Sequence, residues 1–205
     1  PISPHAMLDL ADAFYSQAPP TQLKLRDEIL TGTLEALISG RADLAIGVSV
    51  NTSSAAGLQQ DVLGEIDFVF VVAPQHPLAQ APEPLSDASL LLHRAIAVAD
   101  SAQGSGVSMG LLNGQPVFTV GSMRAKLQAQ LRGLGCGFLP EPMARPYLAA
   151  GLLVSRQLAR PIGSIRLHYV WNRTPATQGG RALQWWLAQL QHPTTRAALL
   201  NHYHF

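Results

Sequence analysis

Residues 31–47 constrain the fold of this chain more than any other segment. A polar turn leads into a short helix with one apolar face, and Gly40 follows where a helix end favours a left-handed residue. The apolar run 44–47 lacks polar alternation, which predicts a strand buried on both faces. Residues 23–29 alternate apolar and polar side chains and predict a preceding strand. We therefore expect a βαβ unit whose turn lies at a strand's carboxyl end, where open α/β sheets bind ligands.

The composition is that of a globular protein. Of the 205 residues, 47% are apolar and 13% are charged, which excludes disordered and fibrous classes. No apolar run is long enough to span a membrane, and a formal net charge of +1 gives no strongly basic surface for nucleic acid. The single cysteine, Cys136, excludes an internal disulfide and is compatible with a reducing compartment.

A succession of strand, polar loop and helix occurs in both halves of the chain, which predicts two similar α/β lobes. The chain opens on a helix capped by Ser3, with Pro4 at the first helical position, and no strand precedes it. We therefore expect it to be a fragment of a longer protein. A second cycle begins at a buried strand, 95–99, and includes a helix from Ser122 and a glycine-rich strand, 135–140.

Four motifs follow one another in an order and at spacings that are specific when taken together. They are Leu37-x-x-Gly40-x-x-Asp43-Leu44-Ala45-Ile46, Val71-x-x-Pro74-x-His76-Pro77-Leu78-Ala79, Leu131-x-x-Leu134-Gly135-x-Gly137-x-x-x-Pro140 and Gly151-x-Leu153-Val154. Together they resemble the effector-binding domain of LysR-type transcriptional regulators. The resemblance implies an α/β fold of two Rossmann-like lobes joined by two crossover segments, like a type 2 periplasmic binding protein.

The resemblance also implies the boundaries of the lobes. Lobe I would comprise residues 1–73 and 171–205, and lobe II residues 74–170, with crossings near residues 73–75 and 168–172. A winged helix-turn-helix DNA-binding domain and a first strand would precede the chain. Neither is present in this sequence.

Polar turns and the family motifs together provide the candidate effector-binding residues. These are Ser3, Thr31, Gly32, Thr33, Ser101, Ser105, Ser122, Gly137 and Phe138. At the turn of residues 31–33, hydroxyls and the amides of residues 32–34 could bind a carboxylate, with ordinary helix capping as the alternative. For Ser3 and Ser122 the two roles are equally supported. We expect the turn at 31–33 and the loop 101–105 to face one interlobe cavity.

No set of residues indicates catalysis, a cofactor or a metal site. The string Gly106-Val107-Ser108-Met109-Gly110 formally matches a nucleophile elbow, but no strand leads sharply into it. His202 and His204 are too few to form a metal site. Cys136 lies between two glycines in an apolar strand, which favours an inert thiol over a redox sensor.

Two classes of function remain. The first is the ligand-sensing domain of a cytoplasmic transcription regulator, which binds a small polar or anionic organic effector between its lobes. The alternative is a solute-binding protein of a transporter with the same fold, and the segment before residue 1 would distinguish the two. The motifs favour the regulator, which implies DNA contact only through the missing domain and no membrane partner.

The regulator hypothesis also implies a homodimer, and a tetramer at full length. Wide apolar arcs on the first helix (3–17) and on the helix at 122–134 are consistent with subunit contacts. In the family, these helices pair around a two-fold axis. On that basis we expect Ala129→Glu to produce a folded monomer.

Overall fold

The computed structural model describes residues 2–17, 20–49, 57–102, 110–172 and 180–201. The helices are α1 (Pro4–Tyr15), α2 (Gly32–Ile38), α3 (Asp87–Leu91), α4 (Met123–Leu131), α5 (Glu141–Ala149), α6 (Arg181–Gln191) and α7 (Pro193–Asn201). The strands are β1 (Leu44–Val48), β2 (Leu58–Ile66), β3 (Phe68–Val72), β4 (Ala95–Val98), β5 (Val117–Val120), β6 (Gly137–Pro140), β7 (Val154–Ser155) and β8 (Ile165–Asn172). The chain divides into two compact units, Pro1–Glu65 with Arg166–Phe205, and Ile66–Ile165.

The first unit is built around a three-stranded sheet with the order β1-β8-β2. Its central strand, β8, buries Leu167, Tyr169 and Val170 almost completely, so this strand forms much of the unit's core. Helix α6 adds its buried apolar stripe, and Phe14 of α1 packs edge-on against Trp185 with ring centroids 5.2 Å apart. The aromatic contact explains how α1 is held in this unit.

The βαβ unit predicted from residues 23–47 is wrong in two respects. Residues 23–29 form no strand, and β1 pairs antiparallel with β8, with Leu44 opposite Trp171. The amide of Leu23 instead donates to the Tyr15 hydroxyl at 2.8 Å. Alternation over seven residues is a local signal, whereas a strand also requires a partner edge, which this segment does not find.

The second unit contains a sheet with the order β6-β3-β7 and a parallel pair, β4-β5. An isolated bridge between Ala95 and Cys136 connects the two sheets. After β3, the His76 imidazole accepts a hydrogen bond at Nδ1 from the Leu78 amide at 3.2 Å and caps a short 3-10 helix. This cap gives the His-Pro-Leu-Ala motif a physical role, because it ends β3 sharply at a proline-bounded turn.

The observed unit boundaries differ from the lobe boundaries expected at residues 73/74 and 170/171. Strand β3 belongs to the second unit because it pairs with β6 along its length and with β7 at its end. Strand β8 belongs to the first unit from Arg166 onward, because it lies between β1 and β2. The chain therefore changes units after Glu65 and after Ile165, and both expected crossings lie within a unit.

Ala129 of α4 does not lie on an exposed face, contrary to the expectation that it takes part in a subunit contact. Ala129 is only 5% exposed and packs inside the second unit, so a glutamate there would disrupt the fold rather than a subunit contact. On α1, Leu8 is 60% exposed, and Met7, Leu10 and Ala11 are half-buried. The apolar arc predicted on α1 therefore reaches the surface of its unit, whereas Ala129 cannot be used to test a dimer.

Gly135 occupies a position where the chain packs against β4 without space for a side chain. A Cβ at this residue would lie 2.4 Å from the Arg94 carbonyl oxygen, a backbone atom fixed by the adjoining bridge. We expect Gly135→Ala to lower the free energy of unfolding by about 1–3 kcal/mol, because the backbone has to shift. Gly121→Ala is the matched control, since a Cβ there meets nothing within 4 Å. Equal denaturant midpoints for the two variants would contradict this packing.

Candidate functional site

The turn before α2 is a strained element of the first unit. Leu30 adopts φ 51°, a left-handed conformation that L-residues rarely occupy. The Thr31 side chain makes no capping hydrogen bond to the helix, although its carbonyl accepts from the Leu34 and Glu35 amides. Strain of this kind is concentrated at ligand sites and switch regions. The geometry therefore does not support ordinary capping as the role of the Thr31 hydroxyl.

The backbone amides of this turn are already paired. Gly32 donates to the Ile29 carbonyl at 3.1 Å, Thr33 to the Leu30 carbonyl at 3.4 Å, and Leu34 to the Thr31 carbonyl at 3.1 Å. The expectation that these amides are available to bind a carboxylate is therefore not supported. A ligand at this turn would have to be held mainly by the half-buried Thr31 and Thr33 side chains.

Ser3 and Ser122 are both N-caps. The Ser3 hydroxyl oxygen, fully buried, accepts from the Ala6 amide at 3.2 Å, and its own amide donates to the Leu199 carbonyl at 2.8 Å. Ser122 accepts from the Ala125 amide at 3.1 Å and is exposed. Capping thus accounts for both serines, and Ser122 is the one whose hydroxyl remains accessible from outside the fold.

The loop after β4 is described at residues 99–102 and again from residue 110. Ser101 is exposed and follows Asp100, whose carboxylate accepts from the Ala102 amide at 3.0 Å. Ser105 lies outside the described residues, as do Ser108 of the formal elbow motif and the two C-terminal histidines, His202 and His204. The expectation that this loop faces the turn at 31–33 stays a prediction.

Gly137 and Phe138 come together with other parts of the second unit around one small cavity. Its volume is about 10 Å³, room for roughly one water molecule. The residues that line it are Phe70, Leu90, Ala95, Ile96, Gly110, Leu111, Gln115, Lys126, Gly137 and Phe138. The Phe138 ring packs edge-on against Phe70 with centroids 5.3 Å apart, so the wall is mainly apolar. These two candidate residues are the ones that the structure brings to a shared pocket.

Lys126 is a residue of this cavity that the sequence reasoning missed. Its side chain is 7% exposed, and burial lowers its pKa to about 8. The helix was interpreted from its apolar stripe, in which Lys126 stands beside Leu127 as an ordinary polar neighbour. The available signal was its rarity, because Lys24 is the chain's other lysine. A perturbed lysine in a pocket is a candidate for a functional role.

Cys136 lies close to this lysine, and its buried environment makes the thiol unreactive. The thiol is fully buried, and burial raises its pKa to about 11. Its Sγ donates weakly to the Arg94 carbonyl at 3.4 Å. A thiol that stays protonated and inaccessible is a poor nucleophile, which supports the structural role predicted for it.

The comparisons with known proteins concern nearly the whole chain. The sequence profile described as "LysR substrate binding domain" matches residues 1–193. Among curated proteins, the uncharacterized HTH-type transcriptional regulator YeeY of Escherichia coli is 36% identical over 86% of this chain and 57% of its own length. The probable HTH-type transcriptional regulator YhaJ of Escherichia coli is 36% identical over 90% of this chain and 61% of its own. The chain therefore spans about three-fifths of these relatives.

Solved structures of LysR family regulators have a similar fold. The regulatory domain of MetR, a LysR family regulator from Neisseria meningitidis, superimposes with a TM-score of 0.68 at 19% identity, over 96% of this chain and 90% of that one. Full-length LysG from Corynebacterium glutamicum with bound effector Arg gives 0.61 at 21% identity, over 88% and 62%. These likenesses confirm the predicted two-lobed α/β fold class.

None of the helices in the described ranges is long and apolar enough to cross a membrane. Within those same ranges, no group of three or more histidine, cysteine or acidic side chains is arranged to hold a metal ion.

Burial of the Lys126 charge predicts a measurable loss of stability. Below about pH 8 the amine is protonated in the folded and unfolded states, and the full desolvation penalty applies. Between pH 8 and its usual pKa of 10.5, the folded state releases the proton first, and the penalty disappears. We therefore expect Lys126→Met to stabilise the fold at pH 7, by up to about 3 kcal/mol.

The advantage of the Met variant over the native chain should shrink as the pH rises from 8 to 10.5, in urea unfolding at each pH. Lys24→Met is the matched control, because Lys24 is exposed and its charge carries no desolvation penalty. A Met variant that is less stable at pH 7, or whose advantage does not change with pH, would contradict a buried charge.

Proposed function

This chain belongs to the family of LysR-type transcriptional regulators, and from that premise we propose that it senses a small polar or anionic organic effector. The observation that carries the proposal is the match of the substrate-binding profile to residues 1–193. Its curated relatives are named as transcriptional regulators, which supports this role over that of a transporter's solute-binding protein. The LysG structure with bound Arg supports, at the level of the fold, a small organic molecule as the ligand.

The mechanism that we propose is a shift of population rather than a reaction. An effector with different affinities for two arrangements of the protein favours the arrangement that it binds better. We propose that the protein acts in the cytoplasm without enzymatic activity, and that it contacts DNA through an N-terminal winged helix-turn-helix domain of a longer chain. This proposal is supported by the length of the curated relatives. The chain covers 57% of YeeY and 61% of YhaJ, so each relative is considerably longer than the part that matches.

The effector-binding residues that we propose come from both units. In the first, the Thr31 and Thr33 side chains are preferred to the Gly32 amide, because that amide already donates to a carbonyl. In the second, the candidates are the exposed Ser101 and Ser122 and the cavity residues Gly137 and Phe138. Ser105 remains a candidate from the sequence. Ser3 is the least suited, because it is fully buried and already caps α1.

A test of ligand sensing begins with metabolite pools and the purified chain. We expect a pool that contains the effector to raise the melting temperature, since binding to the folded state stabilises it by mass action. Thr33→Val should then weaken binding of the purified compound by about 1–3 kcal/mol, the cost of a hydrogen bond to a polar or charged group. Thr21→Val, at an exposed position outside the proposed site, should bind normally. Equal affinities for the two variants would remove Thr33 from the site.

Assembly can be tested on α1. We propose that the chain forms a homodimer through this helix, because Leu8 is 60% exposed among half-buried apolar neighbours. In a two-fold contact one substitution appears twice, so Leu8→Glu should produce a folded monomer in sedimentation at tens of micromolar protein. Leu152→Glu is the control, since Leu152 is 52% exposed outside the helix and should leave the dimer intact. A native chain that sediments as a monomer would refute the dimer.

A further inference from the structure

Asn113 and Gly114 form the tip of a tight turn that leads into β5. The Gln115 amide donates to the Leu112 carbonyl at 3.1 Å, which places the asparagine and the glycine at the two central positions. Gly114 has a φ of 83° and Asn113 does not have a positive φ, so the turn is of type II. The sequence contains no second asparagine that is followed by glycine.

Both residues at the tip are open to solvent. Asn113 and Gly114 are exposed, and a Cβ added to Gly114 would meet nothing within 4 Å. Within the described part of the chain, neither the Asn113 side chain nor the Gly114 amide makes a hydrogen bond. The carboxamide and the backbone nitrogen that follows it are therefore both accessible to water and to each other.

The residues on either side of the tip are held in place. Gln115 Nε2 donates to the carbonyls of Leu90 and His93 at 3.0 and 3.1 Å. On the other side, Leu112 packs against the buried core cluster of the second unit. The turn thus has fixed flanks and an exposed tip, so a reaction at the tip does not require the unit to unfold.

An exposed asparagine before a glycine carries the two groups needed for an intramolecular attack. Cγ of Asn113 is an electrophilic carbonyl carbon, and a bond from the Gly114 nitrogen to it closes a five-membered ring. Glycine has no Cβ to shield this nitrogen or to restrict the backbone rotation that brings it to Cγ. Asn172 provides the contrast, because an arginine follows it and its Nδ2 donates to the Leu37 carbonyl at 2.9 Å.

We propose that Asn113 is a site of spontaneous deamidation in the folded protein, through a cyclic imide formed with the Gly114 nitrogen. This nitrogen gives its proton to hydroxide and bonds to Asn113 Cγ, while the bond from Cγ to Nδ2 breaks and ammonia leaves with a proton from water. Water then opens the ring. Attack at Cγ gives aspartate, whereas attack at the backbone carbonyl gives isoaspartate. In sum, one water is consumed, one ammonia is released and nothing is oxidised.

The two products differ in their effect on the turn. Aspartate adds one negative charge at an exposed tip and keeps the length of the main chain. Isoaspartate directs the main chain through the side-chain methylene, which adds one carbon between the fixed residues Leu112 and Gln115. The added length disrupts the hydrogen bond that closes the turn. Isoaspartate should therefore destabilise the second unit, whereas aspartate should leave its stability nearly unchanged.

The direct test is incubation of the native chain at neutral and mildly alkaline pH, followed by tryptic digestion and mass spectrometry. Peptide 95–124 contains Asn113 as its one asparagine, and peptide 167–173 contains Asn172 as the internal control. We expect peptide 95–124 to gain the mass difference between an amide and an acid, faster at higher pH because the attacking nitrogen has to lose a proton. Electron-transfer fragmentation should locate the change at residue 113 and identify isoaspartate, which direct hydrolysis of the amide does not produce.

Two comparisons test the role of the turn. The rate in the folded chain should lie within about tenfold of the rate in guanidinium chloride, because opening an exposed turn costs little free energy. Asn113→Gln should stay unmodified at residue 113, since its extra methylene makes the ring six-membered and slow to form. The proposal is overturned if no isoaspartate forms at residue 113, if Asn172 reacts as fast, or if folding slows the reaction by more than about tenfold.

Asn113→Asp separates the effect of the charge from that of the added carbon. This variant should unfold at the same concentration of guanidinium chloride as the native chain. The isoaspartate fraction, isolated from aged protein by chromatography, should unfold at a lower concentration. Equal midpoints for that fraction and for Asn113→Asp would contradict the predicted disruption of the turn.

Discussion

The cavity in the second unit depends on the buried amide of Gln130. Its Nε2 bridges from α4 to the carbonyls of Gly137 on β6 and Val71 on β3, so one side chain ties a helix to two strands. These strands pair antiparallel, and their register places Val71 opposite Gly137. A fully buried polar contact of this kind specifies one helix position, because any other would leave the Nε2 donors without their carbonyl acceptors. That position is what brings Lys126 to the cavity.

The resulting arrangement lowers the stability of the fold at this cavity. A lysine enclosed by apolar walls and an orphan carbonyl on the same helix both raise the free energy of the folded state. Natural proteins break the rules of core construction chiefly at functional positions. The neighbouring Cys136 thiol behaves differently, since burial holds it in its neutral form and costs little. Of these two buried groups, the lysine therefore costs the fold more free energy than the cysteine.

Family membership and the site provide different kinds of information. The profile match and the relatives establish a LysR substrate-binding domain, and the solved structures at 19–21% identity establish the fold alone. None of them identifies an effector for this chain. That choice depends on the side chains around the effector pocket, which neither the family profile nor the relatives provide. Function at the level of substrate therefore has to be argued from the site.

The sequence by itself determined the local structure and the family. It predicted the helices that begin at Ser3 and at Ser122 and the glycine-rich strand, because short-range hydrogen bonding and backbone preferences decide these features. Only the tertiary structure decided that residues 23–29 form no strand, that β1 joins β8, and that Ala129 and Lys126 point inward. Strand partners and the buried face of a helix are set by contacts between residues distant in the chain, and a single sequence does not encode these contacts in its local pattern.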